Sequence, residues 1–169
     1  MLTIRKAEIT DAALLSEMGY ASYRHHFAHL WREPAELEAF LRQQYASSAI
    51  QQSLQGEADG WFIALDVAPV GFAKVTWHSA VDEHGPSGTL LHKLYLLPGE
   101  TRKGYGEQLL AEIERLVQQS GETFIWLEVL DANPNAKRFY LRQGFTHLKD
   151  TQFCTASQQS TLHILGKPL

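Results

Sequence analysis

The segment spanning residues 91–110 constrains the fold most, because an apolar strand runs through a short glycine-bearing turn directly into an amphipathic helix. The first N–H groups of a helix have no intrahelical partner, and the helix dipole is positive at the same end. Gly104 and Gly106 let the backbone approach a ligand closely, and Arg102 and Lys103 add positive charge. The segment therefore predicts a cradle for a phosphate group at the start of this helix.

Two known phosphate-binding motifs fit this turn incompletely. A P-loop requires Lys followed by Ser or Thr after its last glycine, whereas Glu107 and Gln108 follow Gly106. The dinucleotide fingerprint matches Gly104 and Gly106 but meets Leu109 where its third glycine belongs. An ordinary strand-to-helix turn, in which the glycines serve geometry alone, is a further interpretation. The turn by itself leaves the ligand open.

The size and composition of the chain are those of one globular domain. It has 169 residues, of which 44% are hydrophobic and 20% charged, so we predict a single domain over residues 1–169 with a substantial core. The formal net charge of −4 argues against general nucleic-acid binding, which favours a basic surface. The same charge is compatible with a cationic substrate without requiring one.

Neither the cysteine content nor the N-terminal segment indicates an oxidising compartment or a membrane. Cys154 is the only cysteine, which excludes an intrachain disulfide, and its neighbours Phe153 and Thr155 favour a buried structural thiol in a strand. Residues 1–15 lack the pattern of a signal peptide, and no apolar run approaches the length of a membrane span. We therefore expect a cytoplasmic protein without a membrane partner.

Hydrophobic periodicity predicts an α/β domain with helices over a mostly antiparallel sheet. Asp11 is expected to cap the first helix and Pro34 to begin the second. The loop at 79–88 is polar, and Gly60 separates an N-terminal helical region from the strands. Predicted helices cover residues 12–27, 34–45, 49–54, 105–120 and 133–142. Predicted strands cover residues 2–7, 61–67, 70–77, 90–97, 124–130, 146–153 and 160–165.

Two motifs and the order of the elements resemble the GNAT superfamily of N-acetyltransferases. Residues 101–106, TRKGYG, match the glycines of its Arg/Gln-x-x-Gly-x-Gly/Ala turn, with Thr101 replacing Arg or Gln. Residues 133–145, NPNAKRFYLRQGF, look like its N-x-x-A-x-x-F-Y-x-x-x-G-F motif. The resemblance implies a single GNAT-like domain, with a mixed, mostly antiparallel sheet of six to seven strands flanked by helices.

The N-terminal helices resemble the PaiA-type, polyamine-acetylating branch of this superfamily. An aromatic-rich helix end at residues 23–31 precedes a second helix, residues 36–45, of the E-L-x-x-F/Y-L-x-x-x-Y type. Core packing also produces this spacing of aromatic residues and leucines. The resemblance implies a small polyamine-like amine as the acceptor.

The resemblance to GNAT enzymes also implies a site for acetyl-CoA, used as a co-substrate and without a metal. Backbone groups of Leu94, Tyr95 and Leu96 would hold the pantetheine arm like an added strand. Asn133 would contact the cofactor, with Asn135 nearby. The diphosphate would lie on backbone N–H groups of six consecutive residues: Arg102, Lys103, Gly104, Tyr105, Gly106 and Glu107.

Tyr140 and His92 are the candidate catalytic residues. A phenol stays protonated at pH 7, so Tyr140 can donate to the departing thiolate; packing against the sheet is its alternative role. Many GNAT relatives carry a glutamate on the fourth strand, but residues 89–92 offer no carboxylate. His92 is the nearest titratable group there, and its ordinary pKa suits a base, although a structural role or a water chain are alternatives.

Two other groups of polar residues have simpler interpretations. His25 and His29 lie one helical turn apart beside His26, but no third ligand for a metal is evident in the sequence. These histidines therefore predict a solvated or substrate-lining helix end. Asp82 and Glu83 are expected to be solvated loop acids, with attraction of a cationic amine as the alternative.

The leading hypothesis is an acetyl-CoA-dependent N-acetyltransferase that acts on a primary amine by direct attack on the thioester. Acetylation of a protein N-terminus or lysine is the alternative reaction. A catalytically silent CoA-binding regulator and a Rossmann-type dinucleotide binder are rivals from other classes. The expected partner is a small-molecule amine and not a nucleic acid, and a homodimer is left open.

Overall fold

The computed structural model describes residues 1–169 and contains seven strands and five α-helices. The strands are β1 (Thr3–Lys6), β2 (Asp59–Asp66), β3 (Ala68–Ala80), β4 (Ser87–Leu96), β5 (Phe124–Leu130), β6 (Thr146–Cys154) and β7 (Gln159–Pro168). The helices are α1 (Ala12–Phe27), α2 (Pro34–Tyr45), α3 (Ser47–Gln55), α4 (Tyr105–Gln119) and α5 (Pro134–Arg142). No helix combines the length and the apolar composition needed to cross a lipid bilayer.

All seven strands belong to one sheet with the order β1-β2-β3-β4-β5-β7-β6. Every neighbouring pair is antiparallel except β4 and β5, which are parallel and are joined by the crossover helix α4. The predicted mixed, mostly antiparallel sheet of six to seven strands flanked by helices is confirmed, and it has seven strands.

The β4–β5 ladder is short, and the two strands part soon after it begins. Only Thr89 with Ile125 and Leu90 with Trp126 are paired. On its other side β4 stays paired with β3 as far as Leu96, and β5 stays paired with β7 as far as Leu130. The sheet therefore opens between its two central strands, and this opening forms the site described below.

Two hydrophobic clusters cover the opposite faces of the sheet. On one face, the apolar stripe of α4 (Leu109, Leu110, Ile113 and Val117) packs against β5 and Phe145. On the other face, α1, α2 and α3 bury Leu15, Leu41, Tyr45 and Ile50 against β2 and β3. Alternation along the strands directs neighbouring side chains into different clusters, as with Phe62 and Ile63.

Three local predictions about the N-terminal half are wrong in detail. Asp11 does not cap α1; its carboxylate accepts hydrogen bonds from the Glu8 N–H and from Arg5, because a 3-10 turn precedes the helix. Gly60 lies inside β2 rather than at a boundary, and a Cβ there would come within 3.0 Å of Trp77. The loop predicted at 79–88 is shorter, because β3 and β4 extend into it.

The prediction of a buried Cys154 is also wrong. The thiol is exposed at the end of β6, the edge strand of the sheet. An edge strand has a neighbour on one side only, so an outward-facing side chain at its end meets solvent.

Candidate active site

A cavity of about 1010 Å³ lies where β4 and β5 separate, and it reaches both faces of the sheet. The part next to α4 and α5, here called the cradle side, is lined by Arg102, Gly104, Gly106, Glu107, Asn133 and Arg138. The part next to α1 and α2, here called the aromatic side, is lined by Tyr23, Phe27, Trp31, Phe40, Tyr95 and Phe153.

The cradle is formed by backbone N–H groups at the start of α4. The seven consecutive N–H groups of residues 101–107 donate no hydrogen bond within the chain. Arg102 and Gly104 have positive φ angles of 65° and 79°, and alternation of such residues with ordinary ones turns successive N–H groups into one concavity. No side chain caps the helix. This geometry fits an anionic group such as a diphosphate.

Tyr105 and Lys103 support the cradle from outside the cavity. The Tyr105 hydroxyl donates to Asp66, which anchors the start of α4 to the β2–β3 hairpin. The Lys103 ammonium lies 3.1 Å from a Glu100 carboxylate oxygen. Neither side chain lines the cavity, so any contact of these two residues with a ligand is through the backbone.

The two sequence motifs meet in space at Gly106. A Cβ at Gly106 would lie 3.6 Å from the Phe139 ring, which is ordinary van der Waals contact. The Asn133 side chain accepts from the Ala136 N–H at 3.3 Å and so caps α5, while its amide NH₂ stays available at the cavity. The start of α5 is thereby fixed beside the start of α4.

The cradle side carries excess positive charge. Arg102, Arg138 and Arg142 line it, against the single carboxylate of Glu107. Asn135 also lines it, but its side-chain oxygen accepts from Arg138. Three guanidinium groups around unpaired N–H groups favour a ligand with more than one phosphate group.

Leu94, Tyr95 and Leu96 line the cavity along the open edge of β4. Because β5 diverges from β4 after Leu90, the backbone groups of β4 on that side have no strand partner here. The His26 ring lies 3.0 Å from the Leu96 carbonyl oxygen and ties the end of α1 to this edge. An extended ligand can thus hydrogen-bond to β4 as a further strand would.

Tyr140 lines the same cavity from α5, and its hydroxyl has no hydrogen-bond partner in the chain. Its ring is held edge-on between Phe139 and Phe145, at centroid distances of 5.1 Å and 5.5 Å. Burial raises the pKa of Tyr140, so the phenol is protonated at neutral pH. Tyr95 of β4 lines the same cavity, and burial together with the nearby Tyr23 and Tyr140 raises its pKa.

His92 also lines the cavity, at a bulge where β4 slips against β3. Solvent reaches the ring through the cavity, yet the loss of hydration there and the ammonium groups of Lys93 and Lys74 hold the pKa of His92 well below its ordinary value. This lowered pKa favours the neutral imidazole, the form that can accept a proton, and the role of His92 as a base stays a prediction.

Two cavity residues were missed by the sequence analysis, Glu128 and Lys93. Leu127 and Val129 belong to the cluster under α4, so Glu128 between them points to the aromatic side, where burial raises its pKa. Lys93 is 5% exposed, donates to the Gln44 amide oxygen at 2.7 Å, and lies 4.9 Å from the Tyr45 ring centre. In the sequence, each of these residues is a charged side chain within a mainly apolar predicted strand, and this pattern could have indicated a role in the site.

The β6–β7 hairpin closes the aromatic side against the helices. The Gln158 side chain accepts from the Arg32 N–H at 2.9 Å and donates to the Leu30 carbonyl at 3.1 Å. The Ser157 hydroxyl donates to Glu36 at 2.7 Å. These bonds hold Phe153, near the end of β6, against the beginning of α2.

The remaining polar clusters lie outside the cavity or have partners. Asp82 lies outside the cavity in the loop between β3 and β4, partly exposed, and accepts from Lys149 and from the His84 N–H. The group with metal-ligand geometry is His147, Asp150 and His163, and it does not include the helix-end histidines His25, His26 and His29. His163 is bracketed by Asp150 and Asp131 at 2.6 Å and 2.7 Å, which raises its pKa and ties β7 to β6 and to the turn before α5.

Comparisons with known proteins agree with this geometry. Residues 21–145 match the acetyltransferase (GNAT) family. An uncharacterized N-acetyltransferase of Lactobacillus delbrueckii subsp. lactis is 28% identical over 110 residues, which cover 64% of this chain and 64% of that relative, slightly under two thirds of its length. The spermidine N(1)-acetyltransferase of Thermoplasma acidophilum is 27% identical over 149 residues, covering 85% of this chain and 88% of that protein.

The fold also matches a solved structure over its whole length. The crystal structure of PaiA N-acetyltransferase from Thermoplasma acidophilum, in complex with coenzyme A, superposes with a TM-score of 0.81. The match covers 100% of this chain and 99% of that chain, at 23% sequence identity.

Proposed function

Because this chain belongs to the acetyltransferase (GNAT) family, we propose that it transfers the acetyl group of acetyl-CoA to the nitrogen of a small primary amine. Two sets of backbone groups carry the proposal: those of β4 that have no strand partner where β5 diverges, and the unpaired N–H groups of residues 101–107. The proposed domain for this activity comprises residues 1–169.

The residues of the cradle side fit the anionic end of acetyl-CoA. Unpaired N–H groups from Arg102 to Glu107 are donors for a diphosphate, and Arg138 and Arg142 supply further charge. The open edge of β4 at Leu94, Tyr95 and Leu96 supplies donors and acceptors for the amide groups of a pantetheine arm. When bound, acetyl-CoA supplies an activated thioester carbonyl for the amine to attack.

The amine must lose a proton before or during this attack. An alkylamine with a pKa near 10 is only about 0.1% neutral at pH 7 in water. The apolar rings that line the aromatic side reduce the hydration of an ammonium group bound against them, which lowers its pKa. Glu128 lies on the same side, where it can attract the ammonium group and accept its proton. Burial raises the pKa of Glu128 toward pH 7, which makes the carboxylate a better proton acceptor.

Tyr140 is proposed to donate to the leaving sulfur. Its phenol is protonated and has no partner in the chain. A thiol has a pKa of about 8.5, below that of the phenol, so complete transfer of the proton from Tyr140 to the leaving thiolate is uphill. The phenol therefore acts mainly by donating a hydrogen bond. This bond forms only as negative charge develops on sulfur, which is the condition for lowering the barrier.

The class of amine is the open part of the proposal. Similarity to the spermidine acetyltransferase of Thermoplasma acidophilum supports the polyamine-like acceptor predicted from the sequence. Acetylation of a protein amino group remains the alternative reaction. The choice among these acceptors depends on the lining of the aromatic side.

Binding and turnover test the proposal separately. A ligand that binds one site of the folded protein, at a concentration a hundredfold above its Kd, raises the free energy of unfolding by about 2.7 kcal/mol, which a thermal melt detects. We expect coenzyme A to raise Tm and NAD to leave it unchanged; the reverse would exclude the proposed cofactor. Release of free thiol from acetyl-CoA upon addition of a primary amine then identifies an enzyme, whereas stabilisation without release identifies a silent CoA-binding regulator.

A further inference from the structure

The aromatic side contains three mutually contacting rings from three separate elements. Trp31 precedes α2, Phe40 lies on α2 and Phe153 lies near the end of β6. The ring centroids are 5.2 Å apart for Trp31 and Phe40, and 5.9 Å apart for each of the other two pairs. All three side chains are partly exposed and line the cavity. We call this group the aromatic wall.

Further rings continue the aromatic wall toward β4. Tyr23 contacts Phe40 at 5.1 Å and Phe27 at 4.8 Å, and Phe27 contacts Tyr95 at 5.6 Å. The path therefore runs without interruption from the β6–β7 hairpin to the strand that would hold the acetyl donor. A planar apolar body placed along this path would lose contact with water and gain contact with the faces and edges of these rings.

Carboxylates are scarce in this cavity. Only Glu107 and Glu128 line it, and Glu107 belongs to the cradle at the first turn of α4. The aromatic side consequently presents one carboxylate, that of Glu128. A substrate with two or three ammonium groups would find an opposite charge for only one of them.

Lys93 shows how unfavourable this region is for a second cation. Its ammonium is nearly buried and has Gln44 as its hydrogen-bonding partner, with no carboxylate in contact. Burial and the charge of Lys74 lower the pKa of Lys93 to about 7. A substrate ammonium near Lys93 would lose its hydration in the same way and would meet like charge.

We propose that the acceptor is an arylalkylamine, a monoamine with an aromatic body, in place of the polyamine-like acceptor that similarity to the spermidine acetyltransferase supports. The assignment rests on the proposed N-acetyltransferase activity. The aromatic body lies against Trp31, Phe40 and Phe153, and the single amino group faces Glu128 and the thioester. The amine nitrogen forms the new amide bond, the bond between the carbonyl carbon and sulfur breaks, coenzyme A leaves as thiolate, and the amine proton passes to Glu128 or water.

A panel of four amines tests this assignment through thiol release at saturating acetyl-CoA. The panel comprises 2-phenylethylamine, tryptamine, n-propylamine and spermidine. We expect kcat/KM for the two arylalkylamines to exceed that for spermidine and for n-propylamine by about tenfold or more, which corresponds to about 1.4 kcal/mol. An equal or higher kcat/KM for spermidine overturns the monoamine assignment.

Two variants locate the preference in the aromatic wall. Trp31→Leu and Phe153→Leu are expected to reduce the preference for 2-phenylethylamine over n-propylamine by about fivefold, chiefly through KM. Phe124→Leu is the matched control, since Phe124 is partly buried at the start of β5 and does not line the cavity. Equal losses with both amines would exclude the aromatic wall as the recognition surface.

The outcomes separate this assignment from the proposed function. Rapid acetylation of spermidine with little reaction of the arylalkylamines supports an N-acetyltransferase but overturns the substrate class. Release of thiol with none of the four amines, in a protein that coenzyme A stabilises, overturns the arylalkylamine assignment, whereas the proposed function is overturned only when no small primary amine in a wider panel supports release.

Discussion

The two sides of the cavity are built in different ways. The cradle side consists largely of backbone groups from one contiguous turn, fixed by the packing of Gly106 on Phe139 and by the bond between Tyr105 and Asp66. The aromatic side consists of side chains from α1, α2, β4, β5 and β6, brought together by tertiary packing. Under the proposed function, the first arrangement would recognise a feature common to every coenzyme A molecule, whereas the second can change with single substitutions. The proposal thus assigns binding of the donor and choice of the acceptor to different parts of the cavity.

The largest expected effect comes from Tyr140, which serves the chemical step rather than binding on either side. Tyr140→Phe removes the hydrogen-bond donor to the leaving sulfur and should lower kcat about a hundredfold, since one preorganised donor to a developing negative charge contributes about that much. The Kd for acetyl-CoA, measured by calorimetry, should stay nearly unchanged because the ring remains in place. Tyr20→Phe is the control, because Tyr20 lies on α1 and does not line the cavity. An unchanged kcat would show that Tyr140 only packs against the sheet.

An intermediate effect is expected on the aromatic side at Glu128. Glu128→Gln keeps the shape but removes the charge that attracts the ammonium, so kcat/KM for the amine should fall about ten- to fiftyfold. Acetyl-CoA binding should not change.

The dependence of kcat/KM on pH tests the role of Glu128 independently. Burial raises the pKa of Glu128, so its carboxylate becomes protonated at a higher pH than an ordinary glutamate. In the unsubstituted protein, kcat/KM should therefore decline as pH falls through that raised pKa, and Glu128→Gln should lose this acidic limb. Glu17→Gln on the exposed face of α1 should keep it. Persistence of the acidic limb in Glu128→Gln would assign it to another group.

The smallest expected effect lies on the cradle side and distinguishes its two glycines. Gly104 has a φ of 79°, where a side chain costs roughly 1–2 kcal/mol, so Gly104→Ala should weaken coenzyme A binding about five- to tenfold. Gly106 has an ordinary φ and room for a methyl group against Phe139, so Gly106→Ala should change the Kd about twofold or less. Comparable losses in both variants would indicate that close approach of the ligand, rather than backbone conformation, sets the requirement at this turn.

The sequence predicted the cradle side better than the aromatic side for a physical reason. The turn at 101–106 and the motif at 133–145 are local patterns, so their residues are neighbours in the chain as well as in space. Glu128 and Lys93 acquire their roles only when β4 and β5 part and expose one side chain of each to a common cavity. The same limit explains the wrong prediction for Cys154, since strand pattern alone does not indicate which strand lies at the edge.

The low pKa of His92 could not be obtained from the sequence either. It depends first on burial in the folded chain and then on the charges of Lys93 and Lys74, and Lys74 comes close only through the pairing of β3 with β4. By contrast, the amphipathic pattern of α4 and the apolar run of β5 predicted those elements almost to the residue, because each carries its own periodicity.

The short β4–β5 ladder has a consequence for how the protein resists unfolding. Only two residue pairs join the sheet half formed by β1 to β4 to the half formed by β5 to β7. An acetyl-CoA molecule bound along β4, as proposed, would add contacts between these two halves of the sheet. Amide hydrogens of β4 beyond Leu90 should therefore exchange with solvent faster than those of β3 in the free protein, and should slow most when coenzyme A is added. Cofactor occupancy would then set the cooperativity of the whole sheet.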